Sequence, residues 1–379
     1  MTLAAGIRLT LLIGPGLPVP APASVLTAMK SVEIAVSDSE RSGFELVFQA
    51  GRDPYIAGDS PIVASPQLVA GARVVISATL GVQPVMLMDG IVQETQYDPG
   101  TEGGGTYTLR GFDLTAAMDQ EERSTTHPAQ GPGDIARVIL LRYATYGIIP
   151  DVVDPLGAER PNPVEWSPIQ NGSDYSFLKN LAEQFDHIFT IEPGPLPMTS
   201  RAYWGPPPAA GIPRRALTVD MGPATNVSSL NFENAESQAA SVQGEVQDRS
   251  TNVAIPVVSM PVSARLPLAA RPARANPLTA RTQRYQVPSA RSAGQAFSEA
   301  QAQSDAASET VKATGDLDTA RYGSVLAPRN IVGLRGAGLT HDGNYRVRDV
   351  VHKIKPGQWL QSFTLSREGQ GTTVPVVVT

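Results

Sequence analysis

The C-terminal quarter of this 379-residue chain has the clearest structural pattern, and residues 318–367 read DTARYGSVLAPRNIVGLRGAGLTHDGNYRVRDVVHKIKPGQWLQSFTLSR. Two dipeptides in it, Asp342-Gly343 and Pro356-Gly357, are typical of tight turns, because glycine tolerates positive φ. The residues around them are mostly β-branched or aromatic and favour strands: Tyr345, Val347, Val351, Ile354, Trp359, Phe363 and Leu365. The stretch therefore predicts a run of short antiparallel strands.

The first 115 residues have a similar texture. Alternation of polar and apolar residues, the mark of a half-buried strand, is clearest in Ser31–Val36. Further strands are predicted at Phe44–Phe48, Arg73–Ser77, Met88–Val92 and Thr106–Arg110, and a short helix between Pro22 and Lys30. We expect residues 1–115 to form a β-barrel that residues 187–222 complete, with a closing hairpin at 187–204.

Helical spacing replaces this pattern after Phe112. Residues 133–143 predict one helix, with Asp134 as its cap, because a carboxylate accepts from free first-turn N–H groups. Apolar residues at steps of three and four predict a second helix over about 174–185, capped by Ser173 or Asp174. Residues 116–186 are therefore expected to form a small inserted α/β domain.

Residues 223–257 and 315–369 predict a second β-barrel, and the segment between them, 258–314, an extended arm followed by a helix. Between Ser250 and Ser298 there are many prolines and no acidic residue. Dense prolines exclude a regular helix or a central strand. The helix is predicted over Ser292–Thr314, from a seam of small residues at steps of three and four. Residues 370–379 form a tail, either a strand given to a neighbour or a frayed end.

The arm carries the candidate partner-binding residues Arg265, Arg271, Arg274, Arg281 and Arg284. One interpretation is an arm that docks on an acidic partner surface. The other is a solvated excursion loop.

Strand patterns also repeat within the chain. The same series of a strand, an Asp-Gly pair and a strand with aromatic-Thr-Leu occurs twice. The first series is Val74–Ile76, Asp89-Gly90 and Tyr107–Arg110, and the second is Ile331–Leu334, Asp342-Gly343 and Phe363–Arg367. The similarity predicts two related barrels.

Residues 315–367 resemble the tail-hub proteins of contractile injection machines: the late-control-D-type hubs of contractile phages and the hub region of type VI spike proteins. The resemblance extends to 30–112, to 250–290 and to 160–190, where Trp166 to Tyr175 read WSPIQNGSDY. It implies a mainly β (α+β) fold, in which two tube-forming β-barrel-like domains carry an inserted α/β domain and a Pro/Arg-rich arm plus helix.

The resemblance also implies a structural baseplate hub rather than an enzyme, without a cofactor. A homotrimer would join a six-fold ring of inner tube protein to a three-fold spike protein trimer and contact other baseplate proteins. It would be assembled in the bacterial cytoplasm as part of a phage tail or a phage-tail-like particle. The chain departs from type VI spike proteins by ending at Thr379, so the spike is expected to be a separate protein.

Composition narrows the classes of function. Lys and Arg number 30 and Asp and Glu 36, a net charge of −6, which argues against a dedicated nucleic-acid binder. With no cysteine, the chain has no disulfide and no thiolate chemistry. No apolar run is long enough to span a membrane, and Ile7–Ile13 is expected to be a first β-strand rather than part of a signal peptide. The four histidines lack metal-site spacing.

Two alternatives remain open. Gly58-Asp59-Ser60-Pro61 resembles the nucleophile block of a lipase family, so a tail-associated hydrolase would use Asp59, Ser60 and a distant histidine. No matching Asp-x-x-His follows, and we predict no catalytic residue. The other alternative is a β-rich adhesion or carbohydrate-binding module, which the arm and the insertion fit less well.

Overall fold

The computed structural model describes residues 2–3, 7–51, 59–81, 83–100, 104–164, 166–208, 211, 214–247, 252–260, 263, 265–273, 281–287 and 292–373. The N-terminal elements are β1 Thr2–Leu3, β2 Ile7–Gly14, β3 Val19–Pro20, α1 Ala23–Ala28, β4 Met29–Ser37, β5 Gly43–Gln49, β6 Arg73–Leu80, β7 Gln83–Asp98 and β8 Thr106–Asp113. The middle elements are α2 Thr115–Met118, β9 Glu122–Thr126, α3 Pro132–Leu141, β10 Ile148–Val152, β11 Ile169–Ser173, α4 Asp174–Gln184, β12 Ile188–Pro193 and β13 Ser200–Gly205. The C-terminal elements are β14 Arg214–Thr218, β15 Val227–Asn234, β16 Ala240–Gln247, β17 Ala254–Val258, β18 Ala269–Pro272, β19 Arg281–Tyr285, α5 Ala293–Ala306, β20 Val311–Asp318, α6 Thr319–Tyr322, β21 Ile331–Arg335, β22 Gly343–Lys355, β23 Gln358–Arg367 and β24 Gly369–Thr372.

Two β units with the same strand order make up most of the fold, which confirms the mainly β prediction. The first β unit has the order β2-β6-β7-β8-β5-β4. The second β unit has the order β14-β21-β22-β23-β20-β15. Each strand of the first unit thus has a counterpart at the same place in the second. The units differ at one edge, because β2 is antiparallel to β6 whereas β14 is parallel to β21.

Each unit has two β-bulges at equivalent places, and these extra residues fix how the units superimpose. In the long strands, Gln93 of β7 and Arg348 of β22 are the extra residues. In the last strands of each unit, they are Lys30 of β4 and Ser228 of β15. With the bulges aligned, the remaining strand pairs of the two units fall into one common register.

The duplication predicted from the sequence is therefore real as strand order, but two parts of its alignment were wrong. Tyr107 was aligned with Phe363 and instead corresponds to Gln361, because their partners Tyr97 and His352 are equivalent. Val74 does correspond to Val332, as expected. Asp89, however, corresponds to Asn344 rather than to Asp342. The two Asp-Gly pairs serve different purposes, since Gly90 lies inside β7 while Gly343 opens β22 with φ 129°.

A continuous junction joins the two units. Strand β22 pairs antiparallel with β4, from Asp349 opposite Ser37 to Ile354 opposite Val32. Ile354 belongs to the hydrophobic core of the first unit, and Val36 packs against both cores. The two units therefore share apolar contacts as well as a backbone ladder.

The inserted α/β unit extends further along the chain than expected. Strands β12 and β13, which were predicted to complete the first barrel, pair with β10 in a separate three-stranded sheet. The cause is apolar matching with α4: Trp204 is fully buried, and its indole Nε1 donates to the carbonyl of Leu178 at 3.2 Å. The strand that follows, β14, joins the second unit through β21.

The arm region also forms a unit of its own. Strands β17, β16 and β19 form a sheet in that order, and α5 packs on it through Ala296 and Ala300. Residues 240–247 and 254–257 were predicted to lie in the second barrel and instead belong to this arm unit, because Val242 and Val246 pack against α5. Pro256 lies in β17, an edge strand, where a missing N–H costs least.

Two helices begin where the sequence predicts, and α3 begins one residue early, with Gly131 rather than Asp134 at the cap position. Ser173 caps α4 by accepting from the N–H of Ser176, and Ser292 caps α5 in the same way. Asp134 reaches back to the N–H of Gly131 at the start of α3. The predicted end of α5 was wrong: the helix stops at Ala306, and Val311 begins β20.

Candidate interaction surfaces

The candidate arginines of the arm lie in three different settings. Arg281 and Arg284 are exposed on β19, an edge strand of the arm unit. Arg271 is exposed on β18, which pairs with β24 near the C-terminus. Arg274 lies outside the described residues. Arg271 lies on one strand, and Arg281 and Arg284 lie on another. The structure therefore has two separate exposed positive sites where the sequence predicted a single binding arm.

Arg265 differs from the others because carboxylates of the same chain bind its guanidinium. It forms an ion pair with Asp186, which follows α4, and lies 3.8 Å from Glu309. Its side chain is 20% exposed. The contacts tie the arm to the α/β unit and to the second β unit, which gives this arginine an intramolecular role.

Glu309 belongs to a buried charge cluster that also includes Asp38, Arg346 and Arg348. Arg346 lies 2.7 Å from Glu309 and 3.6 Å from Asp38, and Arg348 lies 3.3 Å from Asp38. Burial raises the pKa of Asp38 above its ordinary value, against the lowering effect of the two arginines. The cluster lies where β4, β22 and the start of β20 meet, so it fixes the junction of the two β units. The sequence offered a signal for it, because Arg346 and Arg348 interrupt an otherwise strong strand pattern.

Several strand edges have no partner strand within the described chain, and two of them, on β7 and β15, belong to the two β units. Beyond Val92, the edge of β7 that faces away from β8 is unpaired, and residues 93–98 are all exposed. Strand β15 pairs with β20 on one side only, and most of its side chains are exposed. Unpaired N–H and C=O groups on an edge are a template for another strand. Sequence reasoning missed both edges, since pairing partners cannot be read from strand patterns.

The residues of the hydrolase alternative are not brought together. Ser60 is 3% exposed, and its carbonyl accepts from the N–H of Ala64 in a turn. Each of the four histidines packs against an aromatic ring instead: His127 on Phe177, His187 on Trp204, His341 on Phe232 and His352 on Trp359. The geometry therefore gives Ser60 no general base among the described residues.

A search of the described helices for a long apolar segment finds none that could cross a membrane. The described residues also hold no cluster of His, Asp or Glu suited to a metal ion.

Three solved structures have this fold over nearly the whole chain. A tail protein from Neisseria meningitidis matches with a TM-score of 0.65 and 12% identity, covering 96% of this chain and 97% of its own. The 43 kDa tail protein of prophage MuSo2 from Shewanella oneidensis matches with a TM-score of 0.64 and 14% identity, covering 96% and 98%. An E. coli component of the type VI secretion system, described as similar to the T4 bacteriophage tail proteins gp27 and gp5, matches with a TM-score of 0.55 and 11% identity, covering 89% and 73%.

No family model matches the sequence, and no curated protein matches it either. At these identities the structural matches establish the fold. The chain thus has the fold of phage tail proteins and of a type VI secretion component, in agreement with the resemblance found in the sequence.

Proposed function

We propose that this protein is a structural baseplate hub subunit of a contractile phage tail or a related injection system. The observation that carries the proposal is the duplicated β unit, which has one strand order and one set of bulges on a fold shared with tail proteins. Three copies of a chain with two equivalent units present six equivalent units around one axis. Such an assembly has true three-fold and approximate six-fold symmetry together.

This symmetry suits an adaptor between two rings. The six β units would meet a six-fold inner tube ring, and the three-fold face would hold a spike protein trimer. Assembly in the bacterial cytoplasm, without stable membrane insertion, belongs to the same proposal.

The exposed arginines add a second contact. Arg271, Arg281 and Arg284 would meet acidic surfaces of other baseplate proteins, where guanidinium groups form bidentate pairs with carboxylates. With a net charge of −6 on the chain, nucleic acid is not an expected partner.

Electron microscopy of the purified chain, alone and with its spike and tube proteins, tests the proposal. We expect rings with three-fold symmetry, six peripheral lobes and a central channel. In preparations that also contain the other baseplate proteins, charge reversal by Arg281→Glu and Arg284→Glu should release those proteins and leave the ring intact. Arg335→Glu, an exposed arginine of the second β unit, should release none of them. A chain that stays monomeric in light scattering, even with the spike protein present, would refute the hub function.

A further inference from the structure

The strand pair that joins the two β units has an equivalent pair of strands elsewhere in the chain, and these are not paired with each other. Strand β22 pairs with β4 between the two units, as described above. Under the common register, β22 corresponds to β7 and β4 corresponds to β15. Both counterparts have an open outer edge within the described chain.

The open edges stand at the two ends of one continuous run of strands. The run is β7-β8-β5-β4-β22-β23-β20-β15, with eight strands between and including the open edges. Strands in a sheet lie about 4.8 Å apart, so seven steps separate the edges by about 34 Å along the run. One molecule therefore offers both halves of a junction at opposite ends, and a second copy is the partner whose edge has the matching form.

We propose that β15 of one copy pairs antiparallel with residues 94–98 of β7 in the next copy, in the register of the β4·β22 junction. This rests on the proposed function, which requires copies of the chain to associate, and adds which edges meet and in what register. His352 lies opposite Ile34 in the observed junction, so Tyr97 lies opposite Phe232 in the new one. By the same step, Thr95 lies opposite Asn234, and Gln96 opposite Glu233.

Burial at corresponding positions supports this register. Ile34 and His352 are 0% and 2% exposed in the filled junction. Their counterparts are less covered: Tyr97 is 37% exposed, and Phe232 is only partly buried. A neighbouring strand would cover both rings, and a directly opposed aromatic pair stabilises antiparallel strands.

Polar side chains on the other face are also complementary. The amide of Gln96 faces the carboxylate of Glu233, and the amide of Asn231 faces the carboxylate of Asp98. Amide N–H groups donate to carboxylates, so each of these pairs joins a donor to an acceptor. The contact is head-to-tail, and a head-to-tail contact closes into a ring when its rotation allows.

Cysteine cross-linking measures the register directly, because the chain has no cysteine of its own. Opposed residues of antiparallel strands have Cα atoms about 4.5–5.5 Å apart, which lies within the range of a disulfide. In the variant Thr95→Cys/Asn234→Cys, oxidation should link neighbouring copies into a covalent ring on a non-reducing gel. The variant Thr95→Cys/Glu233→Cys, whose second thiol points to the other face, should link about ten times more slowly or not at all.

Two further variants keep the test decisive. Each single-cysteine variant should give dimers at most. Ser37→Cys/Asp349→Cys, at opposed positions of the observed junction, should close within one chain and show that the oxidation works. Light scattering before oxidation separates the two proposals: rings that do not link through Thr95→Cys/Asn234→Cys would overturn the register and leave the hub function standing, whereas monomers at all concentrations would overturn both.

Discussion

The two β units have the same strand order and register, but their side chains at equivalent positions differ in chemical type. Where the first unit has Ile91, the second has Arg346, and both side chains are buried. Tyr97 of the first unit corresponds to His352 of the second. The comparison shows that strand pairing and bulges define the unit, while the side chains at equivalent positions can differ, even between apolar and charged.

The largest expected effect is a loss of stability when Arg346, the counterpart of the apolar Ile91, is removed. Arg346→Ala leaves Asp38 and Glu309 buried with one cation fewer, and breaking a buried pair costs about 3–5 kcal/mol in the free energy of unfolding. Urea unfolding measures the change. Arg110→Ala, which removes an exposed pair with Glu45 in the first unit, is the matched control and should cost far less. Equal losses would mean that the buried cluster does not hold the junction.

The second expected effect is that stability depends on pH through His352 of the second unit. Its counterpart in the first unit is Tyr97. Burial lowers the pKa of His352 to about 4, from an ordinary value of 6.5. The unfolded chain therefore binds a proton that the folded chain refuses, so stability is complete above pH 6.5 and falls as the pH approaches 4, by roughly 3 kcal/mol in all.

His352→Leu should make the urea midpoint less sensitive to pH between 7 and 5. His187, whose pKa burial also lowers to about 4, contributes a similar share, so adding His187→Leu should flatten the profile further. An unchanged slope in His352→Leu would show that this histidine is not held neutral by the fold.

The smallest effect concerns Gly333, whose counterpart in the first unit is Val75. A Cβ at Gly333 would meet its nearest neighbours at 3.8 Å, an ordinary contact. Gly333→Ala should therefore be neutral or stabilise the fold by about 0.4–1 kcal/mol, through the unfolded chain. Gly111→Ala should destabilise it by about 1–3 kcal/mol, because its Cβ would lie 2.2 Å from the carbonyl oxygen of Ile91. Thermal unfolding compares the two, and a loss at Gly333 comparable to that at Gly111 would refute the equivalence.

Local patterns in the sequence predicted the elements well. The strands within 31–110 and the helix at 174–184 lie where alternation and capping place them, because those signals act within a few residues. Val311 shows the limit. It continues the helical spacing of α5, yet it lies in β20, where pairing with Arg367 and Asn234 outweighs the local pattern. The same limit explains the wrong assignments within 187–222 and 240–257, where the strands pair with partners that no local pattern identifies.

The interaction surfaces were only partly predictable. Exposed arginines can be recognised from composition, as Arg281 and Arg284 show, but Arg265 looks the same in sequence and is held by Asp186. The open edge at Tyr97 was missed for a different reason. An unpaired edge is a property of the whole sheet, and it became visible only when the two units could be compared strand by strand.

The junction of β4 with β22 also limits when the first β unit can complete its strand pairing during synthesis on the ribosome. Ser37 and Asp349, which bond across this junction, are 312 residues apart in the chain. At about 5–20 residues per second, synthesis of the intervening segment takes about 15–60 s, during which β4 has no β22 to pair with. A nascent first unit then exposes two unpaired edges to neighbouring nascent chains, and the same hydrogen-bonding groups that later join the two units are open to mispairing. The yield of folded protein should therefore depend more on whether a chaperone protects this intermediate than on the stability of the finished fold.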